Sequence, residues 1–189
     1  MNNELIRALH DEIYDVTDDG VYFPKQGVLA SGEYRHTVNG GDLRIDKNLL
    51  TAEGLTHLLA VAMGATAKPT GYYMALYAGA VSPAANWTAA SFAATASEIV
   101  SLSEGFSEVT RPLWTPAAAA AGVIDNFVAA ARFTITTASS INVNGAALLS
   151  SNVRGGTSGV LVSASKYAAT RTMYNGETYD LGYRVTLTA

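Results

Sequence analysis

The chain has no cysteine, which excludes disulfides and thiolate metal sites and leaves the redox compartment unread. Charge is also scarce: 12 Lys and Arg and 16 Asp and Glu among 189 residues. Residues 1–53 hold 10 of the acids and 5 of the bases, so the other 136 residues carry only 13 charges. There are three histidines, His10, His36 and His57, all in the first third. The longest bland stretch, residues 117–131, is broken by Asp125 and Asn126 and is too short to span a bilayer. A net charge of −4 argues against a nucleic-acid or anionic-membrane surface. No basic segment followed by an apolar one opens the chain, so a soluble protein made in the cytoplasm is expected.

What remains is small and apolar. With 49% hydrophobic residues, the chain is long enough for one moderate domain with a real core plus an appendage. The clearest pattern closes it. Tyr179, Leu181, Tyr183, Val185 and Leu187 alternate with Thr178, Asp180, Gly182, Arg184, Thr186 and Thr188, the period of a half-buried strand. Further strands are expected over 72–77, 132–137, 141–149 and 159–168. Asn175-Gly176 is a type I′ turn signal that would join the last two strands in a hairpin. Thr51 can cap a helix that carries Leu55, Leu58, Leu59, Ala62 and Met63 on one stripe and stops near Gly64. Residues 86–131 are Ala-rich, with one or two short helical turns.

The first 48 residues read differently. Leu5, Leu9 and Ile13 stand at i, i+4 and i+8 on a short helix capped by Asn2 or Asn3. So short a helix must dock on something, and residues 15–41 are punctuated by Gly20, Pro24, Gly27, Gly32 and Gly40-Gly41. The expected organisation is an N-terminal arm over 1–48 and a β-rich domain over 49–189. The expected class is mainly β, an antiparallel sandwich or jelly-roll-like barrel with one embedded helix and a helical or extended arm.

Chemistry finds little footing. A nucleophile needs a base within hydrogen-bond reach, and His57 reads as a satisfied structural histidine beside an apolar stripe. Gly156-Thr-Ser-Gly159 has the wrong spacing for a nucleophile elbow, and no phosphate-cradling loop is present. Asp15-Val-Thr-Asp-Asp19-Gly20 opens like a calcium loop, but its twelfth position is Gln26 and Pro24 falls inside. An acidic turn after the helix is the preferred reading. Asn86-Trp-Thr88 matches a glycosylation sequon without a secretion signal to use it. Glu98, Glu104 and Glu108 could be offered as paired carboxylates, yet read as solvated loop acids. No catalytic residue, cofactor or metal is expected.

The strings Tyr72-Tyr-Met-Ala-Leu-Tyr77, Asn86-Trp-Thr-Ala-Ala-Ser-Phe92, Gly105-Phe-Ser-Glu-Val-Thr-Arg-Pro-Leu-Trp-Thr-Pro116 and Asn175-Gly-Glu-Thr-Tyr-Asp-Leu-Gly-Tyr-Arg-Val185, behind the helix 49–63, carry a resemblance. In this order they resemble small virion structural proteins of tailed bacteriophages, of the head decoration (cement) or tail-fibre-like kind. Gly176-Glu-Thr-Tyr stands where Gly-Asp-Thr-Leu is usual. The likeness covers about residues 49–189 and rests on no single diagnostic motif. It implies a non-enzymatic β-protein that binds a capsid lattice or builds a fibre.

The leading expectation is a capsid cement protein on the virion exterior. It would assemble as a dimer or trimer and bind the major capsid protein, with no nucleic-acid or membrane partner. The alternative is a tail-fibre or receptor-binding component that recognises a host glycan; missing sequence repeats favour cement. A charge-poor surface suits faces covered by copies or a partner, though an ordinary small-residue β-protein shares that composition. Candidate interface residues are Arg111, Trp114, Leu5, Leu9 and Ile13. Arg111 and Trp114 either anchor an interface or staple their loop to their own domain.

Overall fold

The structure, a computed structural model, describes residues 28–188 and the backbone of two short strands nearer the N-terminus. Those strands, β1 (Tyr14–Val16) and β2 (Tyr22–Pro24), pair antiparallel, with Asp15 opposite Phe23. The expected helix with Leu5, Leu9 and Ile13, and the side chains of the calcium-like string, lie outside the described residues.

Residues 30–186 form a separate compact unit built as two antiparallel sheets. Six strands make one sheet: β3 (Leu29–Val38), β4 (Arg44–Lys47), β7 (Gly105–Phe106), β9 (Val123–Asp125), β10 (Ala131–Thr136) and β13 (Thr178–Thr188). Their order is β4-β3-β13-β10-β7, with β9 also pairing β13. The other sheet runs β5 (Leu49–Leu50), β12 (Leu161–Tyr174), β11 (Ser140–Leu149), β6 (Tyr72–Tyr77), β8 (Leu113–Trp114). The result is a sandwich and not a closed barrel.

Period-2 alternation explains how the sheets face each other. Tyr179, Leu181 and Tyr183 of β13, Phe133 and Ile135 of β10, and Tyr34 of β3 point into one core. They meet Met74, Leu76, Val143, Leu148, Tyr167 and Met173 from the opposite sheet. The five-stranded sheet is buried on its second face too. There Ala75, Ala147 and Ala164 lie beneath Trp87, Phe92 and Ala96, and such small residues let a helix approach closely. That helix, Ala89–Ala96, is about two turns long and lies in the segment where one or two short helical turns were expected. Thr88 caps it in a capping box with Ser91, which also occupies the sequon threonine.

Two expectations need correction. The arm does not extend to residue 48: β3 is an interior strand of the six-stranded sheet and buries Tyr34 and His36. Its glycines hid a strand whose alternate residues, Tyr34, His36 and Val38, face the core. The Asn175-Gly176 turn does not make a hairpin either. Only Gly176 has a positive φ, +81°, whereas a type I′ turn needs both central residues there. Gly176 donates to Ile135 O of β10 at 2.9 Å. The turn thereby carries the chain from β12 in one sheet to β13 in the other.

Candidate functional site

The loop containing Arg111 and Trp114 is held from within. Arg111 forks onto Glu98, Nε to Oε1 and Nη2 to Oε2 at 2.7 Å each, and both side chains are fully withdrawn from solvent. Arg111 Nη1 donates to Ser151 O at 2.9 Å, and Gly155 N donates to Glu98 Oε2 at 3.0 Å. Planar guanidinium–carboxylate geometry of this kind is what a buried ion pair requires. Trp114 Nε1 donates to Tyr183 O at 3.2 Å, and its ring meets Tyr72 and Tyr183 edge-on. Both residues therefore tie the loop to their own domain, and the structure does not present either at the surface.

Arg154 adds a second staple. Its Nη1 donates to the carbonyls of Phe106 and Glu108 at 3.0 and 2.6 Å, and its Nη2 to Ser101 at 2.8 Å. The guanidinium also lies 3.6 Å from the Phe106 ring centroid, a cation–π contact. Burial pulls its pKa below the ordinary arginine value, against the pull of Glu98 and Glu108. Arginine remains charged regardless.

The loop acids are not free. Glu98 is buried, contrary to its reading as a solvated acid. Glu104 accepts from the Thr137 hydroxyl at 2.6 Å and from Ala138 N at 3.0 Å, and these two donors hold its pKa below the usual carboxylate value. Glu108 accepts from Thr134 N with both oxygens at 3.1 Å. Each carboxylate is engaged in holding a loop. The sequence only narrowed the choice: residues 54–189 contain six acids, and nothing in it marks Arg111 as the arginine whose burial requires one of them.

His57 donates to or accepts from Tyr72 Oη at 3.0 Å, in keeping with a satisfied structural histidine. His36 is the less orthodox one. Its Nε2 lies 2.9 Å from Asp46 Oδ2, its ring stacks on Tyr167 with centroids 4.2 Å apart, and its Nδ1 is buried without a partner. Burial pushes its pKa below the ordinary histidine value, although Asp46 pulls the other way. Around it the tyrosine hydroxyls pair off. Tyr179 donates to Tyr167 at 2.7 Å, and Tyr34 meets Ser163 Oγ at 2.8 Å. Burial raises the Tyr183 phenol to about 12. This is core packing in which the tyrosine hydroxyls are satisfied and His36 Nδ1 is left over.

The surface feature is the helix Ala52–Met63, called α1. Thr51 caps it as expected, accepting from Gly54 N at 2.9 Å. Of its apolar stripe, however, only Leu58 packs against the core. Gly54 is the buried residue, and a Cβ there would come within 2.2 Å of Val162 O. The helix lies against β12 through Gly54, with Leu58 reaching the core. Leu55, Leu59 and Met63 are left 46, 62 and 84% exposed. Ala52, Thr56 and Ala62 are exposed beside them, so this helix face carries no charge.

Among the described residues no group of three or more His, Cys, Asp or Glu is placed to hold a metal ion. None of the described helices is long and apolar enough to cross a membrane. Comparison with models of known protein families and with curated proteins finds no match.

Proposed function

We propose that this chain is a non-enzymatic virion structural protein that binds and stabilises a capsid lattice by burying surface against the major capsid protein and copies of itself. The observation that carries this reading is the outward face of α1, where Leu55, Leu59 and Met63 stand exposed without a charge among them. A helix face of that kind is the surface a partner covers. The resemblance of residues 49–189 to small phage virion structural proteins, of the decoration or tail-fibre-like kind, points to a virion component, and the missing sequence repeats favour cement over a fibre. The stapled loops support it as well. Arg111 and Arg154 fix their loops before binding, so little ordering entropy would oppose association. Many copies would then add interface around the lattice by multivalency.

The test is addition of purified protein to capsids stripped of it, compared with a Leu59→Lys, Met63→Glu double variant. The intact protein should co-sediment with capsids in hundreds of copies per particle and raise their melting temperature by mass action. The variant should keep its own melting temperature and lose binding. A stable monomer that ignores capsids, or a copy number of about a dozen or fewer, rejects the reading in favour of a tail component.

A further inference from the structure

A groove of about 480 Å³ opens on the outer face of the six-stranded sheet, away from the sandwich core. That volume lies within the range of roughly 300–1,000 Å³ typical of small-molecule sites. Its polar side is the Arg132–Asp180 pair, Nε to Oδ1 at 2.7 Å and Nη2 to Oδ2 at 2.9 Å. Leu43 and Val128 also line it and are 54 and 99% exposed.

The groove wall is preformed. Phe127 lies against Gly182, where a Cβ would come within 2.7 Å of its ring. The guanidinium carbons of Arg35 and Arg184 lie 4.1 and 4.5 Å from its centroid. Asn126 Oδ1 accepts from Tyr183 N at 2.7 Å, fixing the start of the 3₁₀ turn Phe127–Ala129 to β13.

Three properties narrow the occupant. The cations around the groove are already matched by acids: Arg35 by Glu33, Arg132 by Asp180, Arg184 by Asp125. Little net charge is left to capture an anion. The floor strands β3, β13 and β10 pair with one another side by side, so no free strand edge offers main-chain recognition to a peptide. What remains is a planar donor–acceptor pair beside aliphatic side chains. Asp180 keeps accepting lone pairs and Arg132 keeps donors beyond the two it shares.

We propose that this groove binds a neutral saccharide. Vicinal hydroxyls of one pyranose ring would bridge Arg132 and Asp180, and its C–H face would rest on Leu43 and Val128. The site is separate from the α1 face and does not depend on capsid attachment.

Methyl-labelled full-length protein should be titrated with the methyl glycosides of glucose, galactose, mannose and N-acetylglucosamine. Concentrations should reach about 50 mM, above the roughly millimolar Kd that one ring can give. Sodium phosphate and glucuronate run in parallel. The expected result is saturable shifts at the Leu43 and Val128 methyls with at least one neutral glycoside, while Leu181 in the core stays fixed. Asp180→Asn should weaken that binding about tenfold or more, because a site built on hydrogen bonds discriminates strongly when one partner changes. Arg132 is 64% exposed, and an ion pair with one solvated partner is worth little to folding, so this variant keeps its core methyl spectrum. The proposal is overturned if no neutral glycoside moves those methyls. It is overturned equally if only the anions do, or if Asp180→Asn binds unchanged.

Discussion

Arg111 and Glu98 lie 13 residues apart and meet in a two-bonded fork with neither side chain exposed. Removing one partner from such a pair leaves the other charge buried and unmatched. Glu98→Ala should therefore cost about 3–5 kcal/mol of folding stability. The double variant Glu98→Leu, Arg111→Met should cost much less, because it removes both charges together. Urea unfolding of the three proteins measures both. Equal losses in single and double variants would show that the loop depends on the ion pair itself and not on avoiding an orphaned charge.

Trp114→Ala should destabilise the fold by about 3–5 kcal/mol, the range for deleting a large buried aromatic. The indole packs against Tyr72 and Tyr183 and donates to Tyr183 O. The loss should be independent of protein concentration, since it arises inside one domain. Denaturation at two concentrations a hundredfold apart checks this; a concentration-dependent loss would return Trp114 to an interface.

The last strand was legible because one of its faces is buried and its alternation is unbroken: β13 runs over Thr178–Thr188, the bounds its pattern gave. Thr51 likewise caps α1 as its chemistry predicts, and the helix does stop at Gly64, although that glycine is extended at φ −98° and not left-handed. Four things were not legible. Apolar periodicity marks a stripe but not whether a neighbour covers it, and at α1 a glycine won the docking face because its missing Cβ admits Val162 O. Asn175-Gly176 signals a turn but not which strand receives the chain. The pairing of Arg111 with Glu98 and the cradling of Arg154 depend on loops that meet only in three dimensions. The groove beside Phe127 draws on β3, β10 and β13 together, and no local pattern announces it.

Truncation separates the N-terminal segment from the sandwich. Deleting residues 2–27 should leave the unit 30–186 folded, with its cooperative unfolding transition intact. Deleting residues 2–41 removes β3 and with it Tyr34, whose hydroxyl meets Ser163 Oγ at 2.8 Å across the core. That chain should not fold. Circular dichroism and a thermal melt of both proteins decide the point. A folded 42–189 fragment would place β3 outside the essential core and restore an arm reaching beyond residue 41.

His36 should make the fold sensitive to mild acid. Its Nδ1 is buried without a partner and its ring stacks on Tyr167. Burial lowers its pKa, and the Asp46 hydrogen bond only partly opposes that. The unfolded chain takes up the proton near pH 6.5, the ordinary histidine value, while the folded chain resists it. Below that pH the unfolded state holds more protons, so stability falls as pH falls, by at most about 1.4 kcal/mol per unit from this one group. Above it the contribution is flat. Urea unfolding at half-unit steps from pH 7.5 to 5 should show the decline beginning near 6.5. His36→Gln has no proton to gain at that position, so its curve should be flatter over the same window even if its overall stability is lower. The carboxylate of Glu104, whose pKa is lowered by Thr137 and Ala138, titrates further into acid and does not blur that range. A wild-type curve that stays level or rises on acidification to pH 5.5 would mean that Asp46 dominates and that the buried ring accepts its proton in the folded state.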